Sequence, residues 1–85
     1  MKGKFYIDGH KSKGGWEDET TLILQDDNGY SSLEEATAKT KEYFEKDKEL
    51  HLAVIYQKDQ LGTKEGAKIM FRGDEGELEE SLLFY

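Results

Sequence analysis

The feature that most constrains this fold is a capped amphipathic helix that leads directly into an apolar strand, between Ser32 and Gln57. Ser32 is the expected N-cap, and Glu35, three residues on, completes the pattern of a capping box. Small and apolar side chains then recur at helical spacing on one face: Leu33, Ala36, Thr37, Thr40, Tyr43 and Phe44. We expect the helix to end near Lys46 to Lys48, because lysines are favourable at the negative end of the helix dipole.

The segment after this helix, Leu50 to Gln57, is the most apolar run in the chain. Both of its alternating faces are largely nonpolar, which predicts a central strand with the helix covering one side. Lys4 to Asp8 and Thr20 to Gln25 are predicted to be two further strands, paired as a hairpin with a long loop. Asp26 to Gly29 is predicted to be a turn between that hairpin and the helix, since Asn and Gly accept the positive φ of tight turns.

The C-terminal third is predicted to add two strands in a meander. Ala67 to Arg72 alternates between two faces, and Gly73 to Gly76 has the composition of a hairpin turn. The tail from Glu80 to Tyr85 is expected to be the last strand, although a short helix starting at Glu77 also fits its leucine spacing. The whole chain, residues 1–85, is therefore predicted to be a single small α+β domain in the order β-β-α-β-β-β. We expect a mostly antiparallel sheet of four to five strands with one helix packed on one face.

Composition limits the compartment and the partners. The chain has a net charge of −7 and no cysteine, which excludes disulfides and fits a reducing compartment. Since no apolar run approaches the ~20 residues of a membrane span, we expect a cytoplasmic protein without membrane contact. The charge disfavours direct binding of nucleic acid and favours a protein partner with a basic surface. Alternatively, the charge only keeps a small domain soluble.

Acidic residues are concentrated in two segments, residues 17–35 with seven acids and residues 73–85 with five, and neither contains a base. If the segments lie together, their carboxylates imitate nucleic-acid phosphate, which predicts an inhibitor of the kind that phages and mobile elements encode. As ordinary solvated loops, the same segments need no partner. Trp16 is either an interface anchor in a glycine-flanked loop or a side chain that folds onto the core. The candidate partner-binding residues are Trp16, Glu17, Asp18, Glu19, Asp26, Asp27, Asp74, Glu75, Glu77, Glu79 and Glu80.

A second hypothesis uses the face of the sheet that the helix does not cover. Alternation places Tyr6, Tyr56, Met70 and, depending on register, Tyr85 on that face. Without a second layer, this face exposes aromatic surface, and such patches mark partner or dimer interfaces. The sequence therefore also predicts a structural or self-associating module that forms a homodimer.

A third hypothesis rests on a resemblance. The run Phe5-Tyr6-Ile7-Asp8-Gly9, a later helix and a strand that ends near Asp59 together resemble the opening of the ribonuclease H family. Carboxylates of that family bind two Mg²⁺ for phosphodiester hydrolysis, and the resemblance implies Asp8, Glu35 and Asp59 as the matching acids. The chain departs from the family because it lacks one early strand and because Asp59 lies beyond its strand.

No other pattern in the chain carries catalytic chemistry. The sequence has no cysteine nucleophile and no phosphate-binding glycine loop, and its two histidines, His10 and His51, lack metal-ligand spacing. We therefore predict no catalytic residue, no metal site and no cofactor. The expected function is that of a small acidic binding protein.

Overall fold

The computed structural model describes residues 4–12, 20–58, 61–73 and 75–83. It contains one helix and five strands: β1 (Phe5–Ser12), β2 (Thr20–Tyr30), α1 (Leu33–Lys46), β3 (Leu52–Lys58), β4 (Lys64–Arg72) and β5 (Leu78–Leu82). The predicted α+β class and the β-β-α-β-β-β order are confirmed. Residues 78–82 form a strand, where the alternative was a short helix starting at Glu77, and Phe84 and Tyr85 lie outside the described residues. Over the described ranges, no helix has the length and apolarity needed to cross a membrane.

The five strands form one sheet in the order β2-β1-β3-β4-β5, and every neighbouring pair is antiparallel. The predicted β1–β2 hairpin and the β3–β4–β5 meander are both present, and β1 pairs with β3 to join them. The central position predicted for β3 is confirmed. Because β2 lies at one edge, α1 carries the chain over β1 on its way to β3.

The helix α1 is capped at both ends. The Glu35 N–H donates to the Ser32 hydroxyl oxygen at 3.1 Å, which is the predicted N-cap bond, while the Glu35 carboxylate accepts the Ser31 hydroxyl. At the other end, the Arg72 guanidinium donates to the carbonyls of Phe44, at 2.8 Å, and Asp47, at 3.3 Å. These bonds satisfy acceptors that the last helical turn leaves free. They also fasten the end of α1 to β4.

One layer of side chains between α1 and the sheet forms the core. It consists of Ile7, Ala36, Phe44, Leu50, Ala53, Ile55 and Met70, each at most 3% exposed. Thr40 is fully buried beside them, because its hydroxyl donates to the Ala36 carbonyl within the helix at 2.7 Å. Each large apolar side chain buried in this way contributes about 1.5–3 kcal/mol, so this single layer is the main source of stability.

The prediction that Met70 lies on the sheet face away from the helix is wrong. Met70 lies directly opposite Ala53 in the β3–β4 ladder, and opposite residues share a face. It is fully buried in the core under α1. Its neighbours on that face, Lys68 and Arg72, suggest exposure in the sequence, but their long side chains reach the helix. Lys68 donates to the Thr37 hydroxyl at 3.3 Å.

The prediction of a turn at Asp26 to Gly29 is also wrong, because β2 continues to Tyr30. Between the pairs Phe5–Tyr30 and Ile7–Asp26, β2 has three residues where β1 has one. The extra residues form a bulge, and Gly29 adopts a φ of +81° within it. The positive φ that suggested a turn at Gly29 is therefore adopted inside a strand.

Candidate functional site

In the part of the chain that the structure describes, no second layer covers the side of the sheet away from α1, here called the open face. Its residues alternate with the core residues along the strands, except at the register shift between Ile55 and Tyr56, which brings Lys64 to the same face as Ile69. They include Tyr6 and Asp8 of β1, Leu52, Val54, Tyr56 and Lys58 of β3, and Lys64, Ile69 and Phe71 of β4. In the described residues, the only elements are α1 and the five strands of the sheet, so no helix or strand packs on this face.

The middle of the open face is apolar. Val54 lies opposite Ile69, and Leu52 lies opposite Phe71, on the two strands β3 and β4. All four side chains are half-buried, and none of them belongs to the core cluster or packs against it. A contiguous apolar patch of this kind on a small protein marks a contact surface.

One end of the open face is basic. Tyr6 and Tyr56, which the sequence places on this face, lie there, and their rings stack with centroids 5.8 Å apart. The Lys58 ammonium lies 4.9 Å from the Tyr6 ring centre, and the Lys64 ammonium lies 4.8 Å from that of Tyr56. Since Tyr56 is only 5% exposed, the lysines meet solvent and the Tyr56 ring does not.

The opposite end of the open face is acidic. Glu75, Glu77 and Glu79 are exposed around the β4–β5 connection, here called the acidic hairpin. Together with Arg72 and His51 they line a shallow depression of about 510 Å³, whose apolar wall is Phe71. The Gly73 N–H donates to the Glu77 carbonyl at 2.7 Å and closes the connection. The open face thus changes from basic to apolar to acidic along the strand direction.

Two of the predicted partner-binding acids have internal roles instead. Asp26 is 3% exposed, and its carboxylate accepts the hydroxyls of Tyr30 and Tyr43 and the backbone and side-chain N–H groups of Asn28. Burial raises the pKa of a carboxyl, but these hydrogen bonds outweigh it, so the pKa of Asp26 is lowered. Asp26 therefore fixes the β2 bulge to α1 and is not a contact residue.

The second acid with an internal role is Glu80. Its carboxylate bridges Lys68 of β4 and Lys41 of α1 on the helix side of the sheet. The hydrogen bond from Lys68 lowers the pKa of Glu80 against the effect of burial. Glu80 is thus directed away from the acidic hairpin, although it lies next to Glu79 in sequence.

The two acidic segments do not form one surface over the described residues. Asp27 belongs to β2 and Glu79 to β5, which are the opposite edges of the sheet. Four strand spacings of ~4.8 Å separate these edges by about 19 Å. The remaining predicted contact residues lie outside the described residues: Trp16, Glu17, Asp18, Glu19, Asp74 and Tyr85.

The carboxylates implied by the ribonuclease H resemblance do not meet either. Asp8 lies on the open face and accepts the Tyr56 hydroxyl at 3.4 Å. Glu35 lies in the first turn of α1, on the other side of the sheet. Asp59 lies outside the described residues. Among the residues with described positions, no three His, Asp or Glu side chains are grouped so that they could hold a metal ion.

Sequence reasoning missed Lys58, Lys64 and the apolar residues between them and the acidic hairpin. A signal for the apolar part was present, because both faces of the segment Leu50 to Gln57 are nonpolar while one helix covers only one face. The lysines gave no signal of this kind, since their position over Tyr6 and Tyr56 depends on the register of three strands.

The buried tyrosines make a pH-dependent prediction. Burial, followed by the nearby charge of Asp8, raises the pKa of Tyr56 to about 12, and burial with Asp26 raises the pKa of Tyr43. A pKa raised on folding adds stability that is complete below the ordinary value of 10.0 and is lost as pH rises through the folded value. We expect tyrosinate absorbance to show a late phase, accompanied by loss of circular dichroism toward pH 12.

The matched variant for this titration is Tyr56→Phe, which we expect to remove part of the late phase. Ionisation of every tyrosine near pH 10.0 with the circular dichroism unchanged would contradict the prediction.

The fold defines a class: an α+β protein in which one helix covers one side of a five-stranded antiparallel sheet, with no described helix or strand on the other side. Comparison with protein-family models, with curated proteins and with solved structures finds no match for this chain.

Proposed function

We propose that this protein functions in the cytosol by binding another protein molecule, and that the open face is its binding surface. The observation that supports this most is the half-buried patch of Leu52, Val54, Ile69 and Phe71, which no described helix or strand covers. Covering such a patch removes apolar surface from water, at about 25 cal/mol per Å². A chain of 85 residues with a single core layer buries little surface of its own, so the added burial is a large part of its total stability.

The charges on the open face favour a protein over a free polyanion as the partner. Its exposed ends carry opposite charges, with Lys58 and Lys64 at one end and the acidic hairpin at the other. A nucleic acid presents negative charge along its whole length, so it is repelled by the acidic hairpin and by the net charge of −7. A folded protein surface presents both signs and an apolar centre.

The test is an affinity capture with tagged protein, from a lysate of the source cell that also contains the untagged chain. The face variant is Ile69→Lys, which adds one positive charge, and the control is Glu42→Lys, which makes the larger change of two charges on the exposed surface of α1. We expect the parent and Glu42→Lys to retain the same protein, other copies of this chain included, and Ile69→Lys to lose it. Equal capture by all three, or capture by none, would contradict the proposal.

A second candidate function is inhibition of a nucleic-acid-binding protein by the acidic hairpin. Its support is that Glu75, Glu77 and Glu79 are exposed and grouped around one depression. In this version the hairpin occupies a basic groove on the partner, and the attraction is electrostatic.

This second candidate is tested by reversing Glu75, Glu77 and Glu79 to lysine and leaving the internal Asp26 unchanged. We expect the reversed protein to lose a partner that the parent retains, and free DNA to displace the parent from it. Binding that is unchanged between low and high salt would contradict an electrostatic mechanism.

A further inference from the structure

We propose that the occupant of the open face is a second copy of this chain, packed face to face with its strands reversed. This inference rests on the proposed function, because it names the partner of the same surface. Three properties of the open face support it: the opposite charges at its two ends, the equal distance of those charges from the centre of the face, and the area of the face.

The open face is complementary to itself only when one copy is reversed. Lys58 and Lys64 occupy one end, and Glu75, Glu77 and Glu79 occupy the other. Asp8, near the middle, already accepts the Tyr56 hydroxyl. With the strands reversed, each lysine end meets an acidic end, and both junctions of the dimer are attractive. A uniformly basic partner would match the acidic hairpin and repel the lysines.

The spacing of these charges suits a two-fold axis. Val54 and Ile69 lie opposite each other at the middle of the face. Lys58 is four residues from Val54 along β3, and Gly73 is four residues from Ile69 along β4 in the opposite direction, so each end lies about 13 Å from the middle. A two-fold axis that lies between the two sheets, perpendicular to the strands at this middle, places the lysines of each copy over the acidic hairpin of the other. Such an interface is isologous, which is the commonest kind in homodimers.

The area of the face is adequate for a dimer. Five strands span about 24 Å across, and the two ends lie about 26 Å apart, which gives roughly 600 Å² in projection. That is of the order of the ~800 Å² that each partner buries in a stable interface. Two sheets packed in this way lie ~10 Å apart, which leaves room for the side chains of Leu52, Val54, Ile69 and Phe71 from both copies.

The test is sedimentation equilibrium on four samples: the parent, Lys58→Glu with Lys64→Glu, the triple variant Glu75→Lys, Glu77→Lys and Glu79→Lys, and an equal mixture of the two variants. Each variant has the same sign of charge at both ends of its face. We therefore expect its self-association to be at least about tenfold weaker than that of the parent. The mixture pairs an all-acidic face with an all-basic one, and we expect it to regain the dimer. The control, Lys46→Glu with Lys48→Glu, makes the same charge change at the far end of α1 and should dimerise more strongly than the all-acidic variant.

All substituted side chains are at the surface, and circular dichroism checks that each variant is folded. A parent that remains monomeric at about 1 mM overturns this inference, as does a dimer that neither charge variant weakens. Neither result alters the proposed function if affinity capture retains a different protein through Ile69. Failure of the proposed function is recognised separately, by capture that is the same with and without Ile69→Lys.

Discussion

Replacement of Asp26 by alanine is expected to lower the free energy of unfolding by about 3–5 kcal/mol, which is a large part of the stability of a small domain. The carboxylate is 3% exposed and is the common acceptor for Tyr30, Tyr43 and Asn28. Its removal leaves several donors without a partner in a poorly solvated place, and each such donor costs about 1–3 kcal/mol. Urea unfolding followed by far-ultraviolet circular dichroism measures the loss.

The control for this prediction is the adjacent residue. Asp27→Ala removes the same group from an exposed position and is expected to change stability by less than about 0.5 kcal/mol. Equal losses for the two variants would show that Asp26 is not an internal anchor. Removal of one donor by Tyr43→Phe should cost less than Asp26→Ala, because the carboxylate keeps its other partners.

The pH dependence of the Asp26 effect follows from its lowered pKa. A carboxyl whose pKa falls below its ordinary value of 3.8 on folding stabilises the protein at pH values above 3.8. That stabilisation is lost as pH falls through the lower, folded value. The difference between the parent and Asp26→Asn should therefore be full at neutral pH and should shrink in strong acid.

The second large effect is expected from two neighbouring substitutions on β4. Met70→Lys should destabilise the protein by at least about 4 kcal/mol, because it puts an unpaired charge into the core beneath α1. Ile69→Lys should cost less than about 1 kcal/mol, because its ammonium group extends into solvent from the open face. The two variants differ only in the side of the strand that carries the lysine, and thermal unfolding measures both.

A reversed order of these two losses would mean that α1 covers the other face of the sheet. Similar, small losses for both would mean that the core does not include Met70. Either result would also remove the basis for placing a partner on the Ile69 side.

The parts of this fold that the sequence predicts are those decided by neighbouring residues. Ser32 caps α1 because its hydroxyl reaches the N–H three residues on, and the helical spacing from Ala36 to Phe44 faces the core as expected. Strand existence follows equally from local pattern, as the confirmed β3 shows. These features can be predicted from local sequence alone, without the contacts between distant residues.

The parts that the sequence does not predict depend on pairing between distant residues. A positive φ at Gly29 suits a turn and a bulge equally, and here it lies in a bulge because Tyr30 still pairs with Phe5 of β1. The face of Met70 is set by its pairing with Ala53, across a ladder that has its own irregularity at Tyr56. Likewise, the separation of Asp27 from Glu79 is a matter of strand order, which no local pattern records.

The two edge strands of the sheet, unlike its open face, resist contact with other molecules. The edge strand β5 is five residues long and carries Glu79 and Glu80, while the other edge, β2, has two interruptions of its ladder register. Short, charged or bulged edges resist the addition of another strand, which is the step that starts fibril growth. Fibril growth by strand addition at these edges should therefore be disfavoured, even in concentrated solutions of this protein.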